Sequence, residues 1–429
     1  MGTLNVSNQT ELTNALNIAV AADEIHMAAG TYGSSSLSNK TFATPVIVKL
    51  TGNVSLQKFQ LTNVDGFTFD FDNGSGGRHQ VQFTHPSPAD STKIFQVDGC
   101  SNIKFLNCDF KGIVQTNPAS TGNLIGYGWM LGLNTNDTVL VGNCVFTDTY
   151  RHIVFGNSMQ NLTITNCDFS ESSADSIQGS SVHGLTIRFN LFHDRHYGGG
   201  SVHRDMIQMD TTNHSVGEIS RDILISDNIF DVRDGAWSQT IFMRNLAVDT
   251  NAHGTGGFYQ NITIEDNLII NGHGHGITVG ATNNLTIQRN TMLLGVLNTA
   301  INDGVNDGRV GTAYEPRISL SRNDAPDLPS TNVTIRDNVY PEIGDGGDYA
   351  WGTAGLVFEN NEVLRSANYA AQLDNFPSTY TAGPNEPTVK VGSAIDIAQA
   401  GYPPMLPGGA PALPTLGNTP NMNVTVGAA

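Results

Sequence analysis

Leu162-Thr163-Ile164-Thr165-Asn166-Cys167 is answered 23 residues later by Leu185-Thr186-Ile187-Arg188-Phe189-Asn190. Each stretch opens with an apolar–x–apolar triplet and closes, after two intervening residues, on Cys or Asn. Upstream the frame reads Ile103-Lys104-Phe105…Cys108 and Val139-Leu140-Val141…Cys144. Downstream it reads Ile223-Leu224-Ile225…Asn228, Ile262-Thr263-Ile264…Asn267, Leu285-Thr286-Ile287…Asn290, Val333-Thr334-Ile335…Asn338 and Leu356-Val357-Phe358…Asn361. The closing positions are 36, 23, 23, 38, 39, 23, 48 and 23 residues apart. A base period of 23 with insertions marks a solenoid, in which each coil buries its apolar residues only against its neighbours. Alternation within each triplet predicts a half-buried strand. The closing Asn is expected to turn inward at a corner and satisfy backbone amides of the next coil, building a ladder.

Cys108, Cys144 and Cys167 share the ladder column and are expected as small buried thiols in place of Asn. Cys100 falls outside it. Neighbouring coils about 4.8 Å apart would permit a disulfide, so the redox compartment stays open.

Composition agrees with this architecture. Among 429 residues there are 46 Gly and only 14% charged residues, which suits many short strands joined by tight turns. No apolar run reaches the roughly 18 residues of a membrane span. A net charge of -18 speaks against nucleic acid as a partner, because phosphate binding needs a basic surface. The cationic residues are unevenly placed. Seven of the 14 Arg lie between Arg151 and Arg244, nine of the 12 His between His152 and His275, and no Lys between Lys111 and Lys390. A local Arg/His cluster on an acidic protein fits a groove for an anionic ligand.

The amino terminus, Met1-Gly2-Thr3-Leu4-Asn5-Val6, carries no basic and apolar leader, which leaves the cytosol, leaderless export or a shortened chain. Polar N-cap candidates from Ser7 to Thr10 precede apolar Leu12, Ala15, Leu16 and Ala19, predicting an amphipathic helix that covers the end of the strand stack. A short alternating strand is expected over Asp23-Glu24-Ile25-His26-Met27, before Gly30-Thr31-Tyr32. The repeat fades near residue 365. Residues 366–429, Pro/Gly-rich from Pro403-Pro404 to Ala410-Pro411, read as an extended wrap or linker.

The capping helix, the Gly30-Thr31-Tyr32 entry, the coils and the Asn ladder together resemble the right-handed parallel β-helix of the pectate-lyase-like superfamily over residues 1–365. The resemblance implies an all-β, single-domain solenoid whose substrate lies along one parallel sheet, across several coils. Members include polysaccharide lyases, mannuronan C5-epimerases, inverting glycoside hydrolases and phage tailspikes. It also implies a secreted or cell-surface protein, bacterial in origin. His203-Arg204-Asp205-Met206-Ile207-Gln208 resembles a His-x-Asp-x-Ile-Gln pattern of bacterial β-helix proteins of the epimerase/lyase type. The chain departs from pectate lyases in lacking Lys in its central coils and an acidic triplet for Ca²⁺, and from mannuronan epimerases in lacking Tyr-Gly-Phe-Asp-Pro.

A second repetition places the candidate site. Ile153, Ile177, Ile207, Ile241 and Ile277 each sit in a short apolar core flanked by polar residues. If these stack, strand alternation sends outward the positions before and after each Ile: His152/Val154, Ser176/Gln178, Met206/Gln208, Thr240/Phe242 and Gly276/Thr278. Two positions before each Ile come Arg151, Asp175, Asp205, Gln239 and His275, expected to line the corner beside a groove, with Tyr150, His203, Arg204, Asp210 and Arg244 just outside. A long insertion between Asn190 and Ile207 adds His193, Asp194, Arg195, His196 and Tyr197, and long polar loops on a rigid scaffold often carry function.

These residue types suit proton abstraction from C5 of a uronate. A base takes the weakly acidic proton while cationic groups neutralise the carboxylate; an acid then protonates the leaving oxygen, or the opposite face in an epimerase. His203 or His152 is expected as base, Arg204 as neutraliser and Tyr150 or Tyr197 as acid, with Asp205 pairing or catalytic. Arg151, Asp175, Gln178, Arg195, His196, Gln208, Asp210, Arg244 and His275 are expected to bind substrate. β-Elimination of an acidic polysaccharide is the leading expectation and C5-epimerisation its relative. The alternatives are inverting hydrolysis by Asp175, Asp205 and Asp210 with His273 or His275 assisting, and glycan binding without catalysis. No cofactor is demanded, although Asn302-Asp303-Gly304 and Asn306-Asp307-Gly308 offer oxygen ligands that could hold Ca²⁺.

Overall fold

The computed structural model describes residues 2–85, 91–116, 124–196, 204–211, 214–232, 235, 238–249, 253–295, 315–320, 328–340 and 355–363. The wrap expected over residues 366–429 lies outside them, as do the Asp-Gly pairs considered for Ca²⁺.

Each repeat is one coil of three strands, and each strand pairs in parallel with its counterpart one coil away. One coil runs Arg151–Gly156, Met159–Thr165 and Asp168–Ser170; the next runs Ile177–Gly179, Val182–Arg188 and Leu191–His193. Three parallel sheets result. The predicted triplets form the second sheet, in the predicted register: Ile103, Val139, Leu162, Leu185, Ile223, Ile262, Leu285 and Val333 are successive partners. Their outer apolar positions are buried, as half-buried strands require. The last triplet pairs in register too, but Val357 and Phe358 are exposed.

The corners show why the frame carries Asn where it does. The residue before each triplet has a left-handed backbone, as at Asn102, Thr138, Asn161, Gly184, Asp222, Asn261, Asn284, Asn332 and Gly355. So does the residue before each ladder position, from Asn107, Asn143 and Asn166 to Asp337 and Asn360. Asn, Asp and Gly tolerate this conformation best, so two further columns of the repeat are corner residues.

The ladder itself forms. The Asn190 side-chain amide donates to Asn228 Oδ1 at 3.0 Å, Asn228 to Asn267 at 3.0 Å, Asn267 to Asn290 at 2.9 Å and Asn290 to Asn338 at 3.0 Å. The Cys167 N–H donates to Asn190 Oδ1 at 2.9 Å, where the thiols take over. All four cysteines are free and buried. Cys100 belongs to a different corner, its N–H donating to Asn136 Oδ1 at 2.8 Å.

Inside the third sheet Phe110, Phe146, Phe169, Phe192 and Phe230 stack with centroids 5.1, 4.9, 4.8 and 4.8 Å apart. That spacing is the coil rise itself. At the amino end the helix Gln9–Ile18, capped by Asn8, buries Leu12, Ala15 and Leu16 as predicted. Coiling begins well before residue 100. Thr3–Val6 pairs with Glu24–Met27, and the long bent strands Gly30–Leu50 and Val54–Asp70 continue the stack. These coils lack the Asn column and pack on Phe59, Phe67, Phe69 and Phe71 instead, which hid them from the repeat.

Candidate functional site

The predicted isoleucine column exists. Ile153, Ile177, Ile207, Ile241 and Ile277 are partners on five successive strands of the first sheet, all fully buried. Only one of the two expected outward columns opens. Val154, Gln178, Gln208 and Phe242 are half-buried and outward, whereas Thr278 is covered. The column before each Ile is buried instead: His152, Ser176, Met206 and Thr240 have no exposed surface. Its side chains meet the exits of the third sheet, because the chain is still rounding the corner there. The His152 ring lies 5.8 Å from Phe146 and 5.6 Å from Phe169, and Thr240 accepts from the Asn271 side-chain amide at 2.7 Å.

Gln178 donates to Gln208 across the coil gap at 2.9 Å, giving the open column an amide rung. Gly179 follows because the Phe155 ring of the preceding coil lies over it; a Cβ there would come within 2.1 Å of that ring.

Beside this face runs the column two before Ile. Arg151 Nε meets Asp175 Oδ2 at 2.8 Å, with the Arg151 side chain 19% and Asp175 1% exposed. The Asp205 N–H donates to Asp175 Oδ1 at 3.1 Å. Asp205 pairs with Gln239 in the ladder, and both are buried. Arg151 and His275 are the half-open members. The Arg151 guanidinium carbon also lies 4.8 Å from the centroid of the Tyr150 ring, a cation–π contact.

Several expected site residues lie inside the wall. Arg204 is the largest fully buried side chain among the described residues. Arg195, 2% exposed, donates through Nη1 to Ser176 Oγ, and burial pulls its pKa down to about 10. Burial, followed by the nearby Arg195 charge, pushes the His152 pKa well below the usual imidazole value. His152, Arg204, Arg195 and Asp205 therefore support the face from within instead of lining it, which corrects the expected orientation. His203 and Tyr197 lie outside the described residues.

At the far end of the strands, Arg244 is half exposed and reaches Asp249 Oδ2 at 3.1 Å. Asp210 is half-buried, its N–H donating to Gly179 O at 3.0 Å. His275 Nδ1 lies 2.8 Å from Thr278 Oγ1, and its ring packs 5.3 Å from His273 and 5.5 Å from Phe242. His196 is not on this face. It sits at the exit of the third sheet, with Nε2 3.1 Å from Asp148 Oδ1.

This arrangement presents hydrogen-bonding amides along an open strip, an anchored guanidinium at one margin and an aromatic–imidazole group toward the other end. It can hold a hydroxyl-rich, carboxylated chain running across the coils. Among the described residues, the one cluster with metal-ligand geometry is Asp148, Glu171 and His196, at the turn from the third sheet into the first.

The architecture is that of an all-β, right-handed parallel β-helix. Residues 92–293 match the family model described as the right handed beta helix region. Among solved structures, the chain is similar to the Dettilon tailspike protein (13% identity, TM-score 0.48), covering 82% of this chain and 61% of that one. It is similar to PfbA, a surface adhesin of Streptococcus pneumoniae (11% identity, TM-score 0.48, covering 83% and 88%). It is also similar to the pectate lyase Pel9A (12% identity, TM-score 0.45, covering 92% and 90%). No curated protein sequence matches the chain significantly.

Proposed function

We propose that the protein binds an acidic, uronate-containing polysaccharide across the open strip and cleaves it by β-elimination. The observation that carries this reading is Arg151. Its Nε is committed to Asp175, which fixes the guanidinium plane beside the strip and leaves the two terminal nitrogens to address a carboxylate in a bidentate way. Pairing there withdraws charge from the carboxylate and acidifies C5. Tyr150, with its ring against that guanidinium, is the proton-transfer group of this reading. As the phenolate it takes the C5 proton; the C4–O4 bond then breaks, a C4–C5 double bond forms, and the resulting Tyr150 phenol returns that proton to the departing O4. Gln178 and Gln208 hold hydroxyls of neighbouring sugars.

Inverting hydrolysis fits less well. It needs two carboxyl groups about 6.5–9.5 Å apart across a groove. Asp175 and Asp205 are buried and adjacent, while Asp210 is five residues along the strand from Asp205, about 16 Å when extended.

The test is incubation with a panel of uronate polysaccharides while following the ultraviolet absorbance of the new double bond. A rise that Arg151→Ala and Tyr150→Phe both abolish supports the reading. New reducing ends without that absorbance would replace it with hydrolysis. Exchange of the C5 proton in heavy water without cleavage would replace it with epimerisation.

A further inference from the structure

Asp148, Glu171 and Asp194 recur at steps of 23 residues, each just past a strand of the third sheet and each with a left-handed backbone. The turn therefore stacks one acidic residue per coil on three adjacent coils. His196, two residues beyond Asp194, returns over the same corner. A ligand atom from each of Asp148, Glu171 and His196 lies within 4.8 Å of the others.

We propose that Asp148, Glu171 and His196 form a binding site for a divalent transition-metal cation of the Zn²⁺ class. Four physical points support it. The cluster is a mixed oxygen/nitrogen set, and imidazole favours Zn²⁺ and its neighbours over Ca²⁺, which takes oxygen ligands. The 3.1 Å between His196 Nε2 and Asp148 Oδ1 is close to the edge of a tetrahedron around a metal with bonds of about 2.0 Å. Both side chains are largely enclosed, at 14% and 12% exposed, so the charges are poorly screened. Two carboxylates balance a 2+ ion, and Lys111 reaches Asp148 only at 3.9 Å.

Three protein ligands would leave a coordination position open. The site pins the turns that lead into the strands bearing Arg151 and Asp175, but the proposal stands apart from the polysaccharide reading, since that reading gives none of the three ligands a part and metal binding is read without substrate.

The test uses the full chain without a polyhistidine tag, stripped with chelator and titrated calorimetrically with Zn²⁺ and, separately, Ca²⁺. The expected result is one Zn²⁺ per chain, with affinity lowered at least about 100-fold in both Glu171→Gln and His196→Ala. Glu171→Gln is nearly isosteric and keeps the fold, which circular dichroism verifies, so a misfolded His196→Ala would leave the test intact. Absence of stoichiometric Zn²⁺, binding unchanged in Glu171→Gln, or a preference for Ca²⁺ would overturn the proposal.

Discussion

Asp175 joins two coils: one carboxylate oxygen takes Arg151 Nε at 2.8 Å and the other takes the Asp205 backbone N–H at 3.1 Å. The guanidinium that faces outward is thus held by a carboxylate that is itself fixed by the next strand. Arg151→Ala is expected to lower kcat/KM on a uronate polysaccharide by about 10²–10³-fold, the usual cost of one lost preorganised donor. It also leaves Asp175 buried without its partner, costing about 1–3 kcal/mol in denaturant unfolding. Arg151→Lys should restore part of the stability but little turnover, because an ammonium cannot bind the carboxylate in two places.

Arg204 is expected to behave oppositely. Its side chain has no exposed surface, so Arg204→Ala acts on folding. A loss of about 3–5 kcal/mol is expected from opening a buried charge network. Chemical denaturation of both Arg variants separates the roles: a small stability change in Arg204→Ala with abolished activity would place Arg204 at the substrate.

Gln178 and Gln208 share one hydrogen bond on the open strip. Gln208→Ala is expected to raise KM by about 5–10-fold with kcat little changed, the pattern of a lost uniform binding contact. Steady-state kinetics on long chains reads this directly.

His152 gives a pH signature. Its folded pKa lies well below the ordinary imidazole value of about 6.5, through burial among aromatic rings. A depressed pKa contributes stability that is full above 6.5 and is lost as pH falls toward the folded value, because only the unfolded chain takes the proton there. Melting temperature should therefore fall between pH about 7.5 and about 5. His152→Phe, which suits the ring stack, should flatten that slope; an unchanged slope would assign it to other groups.

The ladder predicts a local, steep loss. Asn228 accepts from Asn190 and donates to Ile187 O and Asn267 Oδ1, all buried. Asn228→Ala should cost roughly 2–4 kcal/mol, since at least two buried groups lose partners at about 1–3 kcal/mol each. Hydrogen exchange should speed up at the corners of the flanking coils before the rest of the stack.

The coil was legible because its determinants are local and repeated. Leu162-Thr163-Ile164 and Cys167 state a strand and a corner within six residues, and 23-residue spacing makes neighbours of Leu162 and Leu185. The Phe-packed coils before residue 100 repeat a polar corner only once, at Asn39 and Asn63, left-handed residues 24 apart that hydrogen-bond at 3.1 Å, and a single repetition does not mark a period. The Asn and Asp residues before each triplet were an unread signal of the left-handed corners.

The sequence by itself determined the β-helix, the isoleucine column and the gathering of Arg and His on the central coils. Only the tertiary structure decided which of those side chains meet solvent. Strand alternation assigns a residue to a face, but at the first two residues of each central strand the corner is still turning. His152 consequently packs against Phe146 and Phe169 of the third sheet, while Gln178 and Gln208 one step past each Ile remain open. Exposure is a property of what packs opposite, and the partners of His152 come from a different sheet of the coil.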